Sequence, residues 1–298
     1  ENPDAIVLAG PTSDTDSERR MGVAASQERT AVATFDWIGM FGALFNAEGM
    51  ANQIIADTES RYKCSAENAA AITADIQPEE KPKILWARYF NGIGWSVASC
   101  PTWDAAYYCE YAQHCGAEII TRPEGVGFNQ TYPPSPTVYW YLTDDEFFEL
   151  GKDAETWIYP SKTFEALYNS KKDMLDQFKS VQMKNVYDTQ GQGEYGWHEQ
   201  RLAEYDVVAL DMCTLVGTNN PDSIHQRRWF RSYYNDPVGS SGTCDVDGGE
   251  IEVAYVPAQA DCVPLVMKDN SAADVMGSRN GMQLSIALVA AILAAIMV

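Results

Sequence analysis

The residues from 47 to 76 place the strongest limit on how this chain can fold. They contain no proline and one glycine, Gly49, so they predict a single uninterrupted helix. At 1.5 Å per residue such a helix extends roughly 45 Å, which is long enough to bridge two lobes of a protein. The prolines at 78 and 82 are expected to end it.

Strand-like and helix-like segments alternate along the rest of the chain. Strands are predicted at 5–9, 31–34, 83–90, 117–120, 155–160 and 181–187. Helices are predicted at 35–46, 104–115, 161–178, 201–216 and 221–230, with a further short helix opened by a capping box at Thr143. Loops are expected at 91–103, 122–136 and 188–200. This alternation predicts an α/β fold with parallel strands, in which ligands bind beyond the carboxyl ends of the strands.

The charge of the chain excludes one class of partner. Its 298 residues include 42 acidic and 21 basic side chains, for a formal net charge of -21. Nucleic-acid phosphates would be repelled over most of such a surface. We therefore expect no nucleic-acid partner.

Seven cysteines without a C-x-x-C pair favour disulfides over a zinc site. A bridge between Cys244 and Cys262 is expected to close a loop with little core, and Cys100 is expected to pair with Cys109 or Cys115. One thiol then remains unpaired. Residues 129–131, Asn-Gln-Thr, form a glycosylation sequon, which favours a secreted glycoprotein.

The last fifteen residues, 284–298, are apolar and uncharged. Small residues at 270–273, a polar spacer to 283 and this apolar run match the pattern of a glycosylphosphatidylinositol anchor signal. A short membrane tail or a buried terminal helix are the alternatives. We expect attachment through the C-terminus to the extracellular face of the plasma membrane. The chain also opens directly on a strand, so we expect it to lack its natural start.

Enzymatic chemistry has little support in the sequence. No G-x-S-x-G occurs, and the adjacent His114 and Cys115 lie at a helix end among expected disulfides. Glycine pairs at 125–127 and 191–193 lack the strand-to-helix context of phosphate loops. We therefore expect a non-enzymatic protein.

A ferric-iron site built from histidine, tyrosine and carboxylate ligands is an alternative, although no spacing supports it. Among its possible ligands, His225 is expected to be a surface or capping residue. Whether His198, in the loop after a strand, is a ligand is left open.

The loop after the strand at 181–187 is the best candidate for ligand contact. Tyr195 and Trp197 offer flat apolar faces with polar tips, which suit a large planar ligand, but the same rings could simply cover the core. His198 follows them. The same two interpretations hold for Trp95 and Trp103, which follow the strand predicted at 83–90, and for Tyr159, which follows residues 155–158 near the end of the strand predicted at 155–160.

Five segments, in their order along the chain, resemble the periplasmic substrate-binding proteins with a rigid inter-lobe helix. That class includes the bacterial vitamin B12-binding protein and its siderophore- and haem-binding relatives. The segments are PDAIV at 3–7, NAEGMANQII at 46–55, KPKIL at 81–85, CGAE at 115–118 and KNVY at 184–187 with the following Trp197. The resemblance covers residues 3–233, and the tail is similar to that of cell-surface cobalamin-acquisition proteins of eukaryotic algae.

The resemblance implies two Rossmann-like lobes with parallel sheets, joined by a long bridging helix, with the first lobe truncated. The expected parts are a partial lobe (1–46), the bridging helix (47–77), an α/β lobe (78–236), a disulfide-containing extension (237–270) and the anchor signal or tail (271–298).

The resemblance also implies capture of a carried small molecule for uptake, with no cofactor. Cobalamin is the expected ligand, and a ferric siderophore, haem or iron itself is the alternative. Trp95, Trp103, Tyr159, Tyr195, Trp197 and His198 would line the site.

Overall fold

A computed structural model describes residues 7–9, 20–23, 25, 28, 30–100, 106–132, 138–240 and 257–265. Its first elements are β1 (Val7–Ala9), β2 (Arg20–Gly22), α1 (Ala31–Phe35), α2 (Trp37–Leu44) and α3 (Glu48–Thr73). β1 and β2 pair in parallel. Within the described ranges, no helix combines the length and hydrophobicity that a membrane crossing requires.

The long helix predicted at 47–76 is confirmed as α3, which has 26 residues. Its buried face consists of small and polar side chains, so neighbouring helices approach it closely. A Cβ atom added to Gly42 of α2 would lie 2.5 Å from the Cβ of Ala51, which shows how tightly these two helices pack.

The strand predicted at 31–34 is wrong, because these residues form α1. The Thr30 side chain accepts a hydrogen bond from the backbone nitrogen of Ala33 at 3.0 Å. The Glu110 carboxylate accepts another from the nitrogen of Ala31 at 2.7 Å. Side chains therefore satisfy the free N–H groups at the start of the helix.

The remaining elements alternate between strand and helix. The strands are β3 (Lys83–Phe90), β4 (Gly94–Val97), β5 (Glu118–Ile119), β6 (Phe128–Thr131), β7 (Val138–Tyr141), β8 (Thr156–Tyr159), β9 (Val186–Asp188) and β10 (Arg231–Ser232). The helices are α4 (Ala106–His114), α5 (Asp144–Gly151), α6 (Phe164–Ser170), α7 (Lys172–Leu175), α8 (Lys179–Gln182), α9 (Gly193–Glu199) and α10 (Tyr205–Leu215).

The main sheet has the strand order β10-β9-β8-β3-β4, with β5 beside the first residues of β3. β5, β3, β8 and β9 are parallel, whereas β4 and β10 are antiparallel to their neighbours. The expected α/β fold with parallel strands is confirmed. The carboxyl ends of β3, β8 and β9 therefore meet at one edge of this sheet.

Both faces of the sheet are covered by apolar side chains. Ile84, Trp86 and Ile158 pack into a core with α4 and α10. Leu85 and Trp157, which point the other way, pack into a second core with α5 and α6. Each fully buried apolar side chain contributes roughly 1.5 to 3 kcal/mol. Burial on both faces explains why β3 and β8 are nearly continuous apolar runs.

Five of the segments predicted in this region differ from the structure. The expected loops at 91–103 and 122–136 contain β4 and β6, and the expected loop at 188–200 contains α9. The strand predicted at 181–187 begins as the helix α8. The helix predicted at 161–178 is divided into α6 and α7.

The helix predicted at 221–230 is also wrong, and the reason is a buried carboxylate. Asp211 of α10 accepts hydrogen bonds from the backbone nitrogens of Arg228, Trp229 and Phe230. These N–H groups therefore need no helical carbonyl, and the chain continues into β10.

Three disulfides connect the described residues: Cys64–Cys262, Cys100–Cys109 and Cys115–Cys213. Of the two partners expected for Cys100, Cys109 is the one that it bonds, whereas Cys115 pairs with Cys213. The expected bridge between Cys244 and Cys262 is wrong, because Cys262 pairs with Cys64 on α3. Cys244 lies outside the described residues, as do the anchor signal at 271–298 and Trp103.

Candidate ligand-binding site

The carboxyl ends of β8 and β9 open into a pocket of about 400 Å³, the edge pocket. Residues following these two strands line it together with β10 and the segment after it. The lining residues are Lys162, Phe164, Glu165, Asp188, Gln190, Arg231, Tyr233, Tyr234 and Val238. The edge pocket lies where parallel α/β sheets bind ligands.

An ion pair between Asp188 and Arg231 forms the floor of the edge pocket. The two residues face each other across β9 and β10, and Arg231 Nε lies 3.0 Å from both carboxylate oxygens of Asp188. A further hydrogen bond joins Arg231 Nη2 to the same carboxylate. The hydrogen bonds that Arg231 donates to the Asp188 carboxylate raise the pKa of Arg231, which stays charged. The floor is thus a fixed, internally neutralised pair.

Aromatic rings form one side of the edge pocket. Phe164 and Tyr233 meet edge to face with their centroids 4.7 Å apart, and Tyr234 packs against Tyr233 at 5.0 Å. The backbone nitrogen of Tyr233 donates to the carbonyl of Val186 at 3.0 Å, which extends the pairing of β10 with β9. Burial raises the pKa of Tyr234 to about 12, so its hydroxyl stays neutral.

The rim of the edge pocket carries a second ion pair, between Lys162 and Glu194 of α9. The Lys162 side chain is 56% exposed. Hydrogen bonding between the two groups lowers the pKa of Glu194 and raises the pKa of Lys162. Tyr195 follows Glu194 and is 65% exposed, so it offers a free ring beside this rim.

Close backbone contacts hold the wall of the edge pocket in place. Gly191 donates its N–H to the carbonyl of Trp229 at 3.1 Å, and Gly239 donates to the carbonyl of Gln190 at 3.0 Å. A Cβ atom on Gly191 would lie 2.0 Å from the Arg228 carbonyl oxygen. Only glycine, which has no Cβ atom, permits this close approach of the two backbone segments.

The charges that line the edge pocket balance. Lys162 and Arg231 are basic, whereas Glu165 and Asp188 are acidic. Each base is already held by a carboxylate, so neither is a free anion-binding group. The edge pocket is therefore a polar, aromatic-sided site without net charge in a strongly acidic protein.

Three of the residues expected to contact ligand have rings that are covered by protein atoms. Trp95 is 0% exposed and stacks on Phe147 at 3.7 Å. Trp197 is 1% exposed and packs against Trp86 and Phe230. Tyr159 is 1% exposed, and its hydroxyl bonds to Thr163. These residues belong to the core.

Two expected contacts remain at the surface. Tyr195 and His198 are both exposed residues of α9. Tyr195 stands beside the edge pocket, whereas the structure assigns no ligand contact to His198. Trp95 is not brought near them, since β3 and β8 separate β4 from β9.

Sequence reasoning missed most of the edge pocket. Asp188 ends a strand, which is a usable signal for a site residue. Arg231, Tyr233 and Tyr234 gave no such signal, because they were placed beyond a predicted helix and lie 43 residues or more from Asp188 in the chain.

A second cavity of about 460 Å³ lies between α3 and α4, beside Tyr62, Glu110 and His114. His114 Nε2 is 2.7 Å from the Ser65 hydroxyl. The Ser65 hydroxyl donates its hydrogen to the Tyr62 carbonyl at 2.9 Å, so it accepts the hydrogen bond from the His114 imidazole. The imidazole therefore does not activate this hydroxyl as a nucleophile. Burial lowers the pKa of His114 to about 4, which keeps the ring neutral.

The expected surface or capping role of His225 is wrong, since its side chain is 4% exposed. Its Nε2 lies 2.6 Å from Asp211, which also orders the segment 228–230. Among the residues that the structure describes, no three His, Cys, Asp or Glu side chains gather as a metal site would require.

Neither a protein-family model nor a curated protein sequence matches this chain. Several solved structures are similar to it. A periplasmic heme binding protein from Pseudomonas aeruginosa has 13% identity over 74% of this chain and 70% of its own, with a TM-score of 0.49. An ABC transporter substrate-binding protein from Listeria monocytogenes EGD-e has 15% identity over 64% and 66%, with a TM-score of 0.41.

An ABC transporter solute binding protein from Sulfurospirillum deleyianum DSM 6946 has 14% identity, covers 66% of this chain and 53% of its own, and has a TM-score of 0.42. This chain thus spans less than two thirds of the length of the Listeria and Sulfurospirillum proteins. At these TM-scores the similarities assign neither a family nor a ligand. The site therefore rests on the geometry of this chain alone.

Proposed function

We propose that this chain is a solute-binding protein and that the edge pocket receives its ligand, cobalamin. The observation that carries the proposal is the edge pocket itself, at the carboxyl ends of β8 and β9. It combines an aromatic side with a polar floor whose ion pair is already neutralised. A large ring ligand with uncharged polar groups matches such a site.

Charge favours cobalamin over anionic ligands. The chain has a net charge of -21, and its field repels carboxylate-bearing ligands such as haem and many ferric siderophores. The bases of the edge pocket do not offset this field, because Arg231 is held by Asp188 and Lys162 by Glu194. The amide groups around a corrin ring carry no charge and meet no such repulsion.

Size determines how the ligand would sit. A corrinoid is larger than about 400 Å³, so the edge pocket would receive one side of it. The exposed ring of Tyr195 at the rim would cover part of the remainder. The buried Trp95, Tyr159 and Trp197 would act by holding β4, β8 and α9 in place.

The same proposal places the protein outside the cell, attached through its C-terminal tail, where it hands captured ligand to an uptake system. The three disulfides support an oxidising compartment. Release of the full-length protein from cells by phosphatidylinositol-specific phospholipase C would support the lipid anchor. Retention after treatment would contradict it.

Isothermal titration of the purified protein with cobalamin, haemin and a ferric siderophore tests the ligand. We expect saturable one-to-one binding of cobalamin with a micromolar or lower Kd, and weaker binding of the two iron ligands. If haemin or the ferric siderophore binds and cobalamin does not, the ligand that binds takes the place of cobalamin in the proposal. Absence of binding to all three would overturn the proposal.

A further inference from the structure

The β6–β7 hairpin exposes a face that the proposed ligand site does not use. The two strands pair in antiparallel register, with Asn129 opposite Trp140 and Thr131 opposite Val138. In an antiparallel pair, opposite residues point to the same side. Asn129, Thr131, Val138 and Trp140 therefore share one face of the hairpin, the sequon face.

All four side chains of the sequon face are exposed. Trp140 is 40% exposed and Val138 is 48% exposed, so a sizeable apolar area lies open beside two polar residues. Arg122 covers part of Trp140, with its guanidinium 4.1 Å from the ring centroid. The base of the hairpin is fixed by two backbone hydrogen bonds. The nitrogen of Trp95 donates to the carbonyl of Leu142 at 2.9 Å, and the nitrogen of Leu142 donates to the carbonyl of Trp95 at 2.8 Å.

The sequon face has the chemistry of a modification site. Asn129 and Thr131 are the first and third residues of Asn-Gln-Thr, which is the single Asn-x-Ser/Thr triplet without proline in the chain. Their positions on one strand two residues apart present both side chains to solvent on the same side. The three disulfides agree with passage through an oxidising secretory compartment, where this triplet is modified.

We propose that Asn129 carries an N-linked glycan that covers Val138 and Trp140. A lipid pyrophosphate-linked oligosaccharide is the donor. The Asn129 side-chain nitrogen forms a bond to the anomeric carbon of the first sugar and loses a proton. The bond from that carbon to the pyrophosphate oxygen breaks, and the lipid pyrophosphate leaves with the electron pair.

The register determines where the first sugar lies. Opposite Cβ atoms in an antiparallel pair are roughly 4.5 to 5.5 Å apart, so a sugar on Asn129 comes within contact of the Trp140 ring. The apolar C–H face of the sugar would then remove the open side of the indole from water. This proposal rests on secretion and not on the identity of the ligand.

Expression of the full-length chain in a eukaryotic secretory host tests the modification. We expect the secreted protein to exceed its sequence mass by one N-glycan, and peptide N-glycosidase F to remove that mass. Asn129→Gln and Thr131→Val should lack the glycan, whereas the matched variant Thr131→Ser should keep it. A secreted, fully disulfide-bonded wild type without a glycan would overturn the proposal.

Hydroxyl-radical footprinting tests whether the glycan covers the sequon face. Val138 and Trp140 should be labelled at least twofold less in the glycosylated protein than after enzymatic removal of the glycan. The exposed Ile224, which is 82% exposed and not part of the hairpin, serves as the internal control. Equal labelling of Trp140 in both forms would contradict the covering role. Ligand binding is measured separately, so a failure here leaves the edge pocket proposal intact.

Discussion

At the residue scale, helix α9 places the neighbouring aromatic residues Tyr195 and Trp197 in different surroundings. They are two positions apart, which is a rotation of roughly 200° about the helix axis, so their side chains point to nearly opposite sides of α9. Trp197 therefore enters the core while Tyr195 and His198 remain outside. The sequence pattern identified the segment, but the helix determined which rings are exposed.

Gly191 provides a residue-scale test of the pocket wall. Gly191→Ala would place a Cβ atom 2.0 Å from the Arg228 carbonyl, which forces the backbone apart. We expect the free energy of unfolding to fall by roughly 1 to 3 kcal/mol, with weaker cobalamin binding. Urea denaturation and titration measure both effects.

Gly49→Ala is the matched control, because nothing lies within 4 Å of its added Cβ and the residue is in α3. This variant should gain up to about 1 kcal/mol in the free energy of unfolding and bind ligand normally. Equal behaviour of the two variants would mean that the close approach at Gly191 is unimportant.

His114 predicts a pH dependence of stability. Its pKa in the folded protein is about 4 because it is buried, whereas an unfolded histidine titrates near 6.5. Between these values the unfolded chain binds more protons, so stability falls as the pH falls from about 6.5 to 4. In His114→Gln this fall should be smaller by roughly 2 kcal/mol, measured by urea denaturation at pH 7 and pH 4.5.

Other groups beside His114 act differently. Ser65 and Tyr62 stay uncharged in this range, and Glu110 has its pKa raised, chiefly by burial. The contribution of Glu110 to the stability of the folded protein therefore falls as the pH rises, which opposes the effect of His114. Because Glu110 is present in both proteins, the difference between wild type and variant isolates the imidazole. Parallel pH curves for the two proteins would refute the assignment.

At the element scale, α3 and the parallel strands β3 and β8 followed from the sequence because long apolar or proline-free runs depend mainly on local pattern. The region from 221 to 230 did not, since its conformation depends on the carboxylate of Asp211 on another helix. The start of the strand predicted at 181–187 is wrong for a different reason, because residues 179–182 form a helix whose backbone hydrogen bonds close locally.

The Cys64–Cys262 disulfide ties the segment 257–265 to α3. Cys64 and Cys262 are 198 residues apart in the chain, whereas Cys100 and Cys109 are 9 apart. Loop-closure entropy predicts that Cys64→Ala with Cys262→Ala costs about 5 kcal/mol, against about 2.5 kcal/mol for Cys100→Ala with Cys109→Ala. The urea unfolding midpoints of the two double variants, each compared with wild type, measure these two losses. A larger loss for the short loop would contradict this entropic account.

Asn68 adds to this attachment. Its side chain donates to the carbonyl of Val263 at 2.8 Å and accepts from the nitrogen of Leu265 at 2.7 Å. Limited proteolysis should therefore cut within 257–265 faster in the Cys64–Cys262 double variant than in the Cys100–Cys109 variant. The alternation of elements could not predict this contact, because it joins parts almost 200 residues apart.

At the scale of the whole molecule, the α/β class was predictable and the site was only partly so. Parallel strands indicated the edge at which a ligand binds, and Asp188 lies there. The other half of the edge pocket comes from β10 and the residues after it, which return antiparallel to β9 from a distant part of the chain. No local pattern predicts such a return.

The affinity of two charge variants for cobalamin tests the central claim most directly. Val238 is a half-exposed lining residue of the edge pocket, and Ile224 is an exposed residue outside it. By isothermal titration, Val238→Glu should bind cobalamin at least tenfold more weakly than wild type, a loss of about 1.4 kcal/mol, while Ile224→Glu binds as wild type does. Equal affinities for the two variants would contradict binding at the edge pocket.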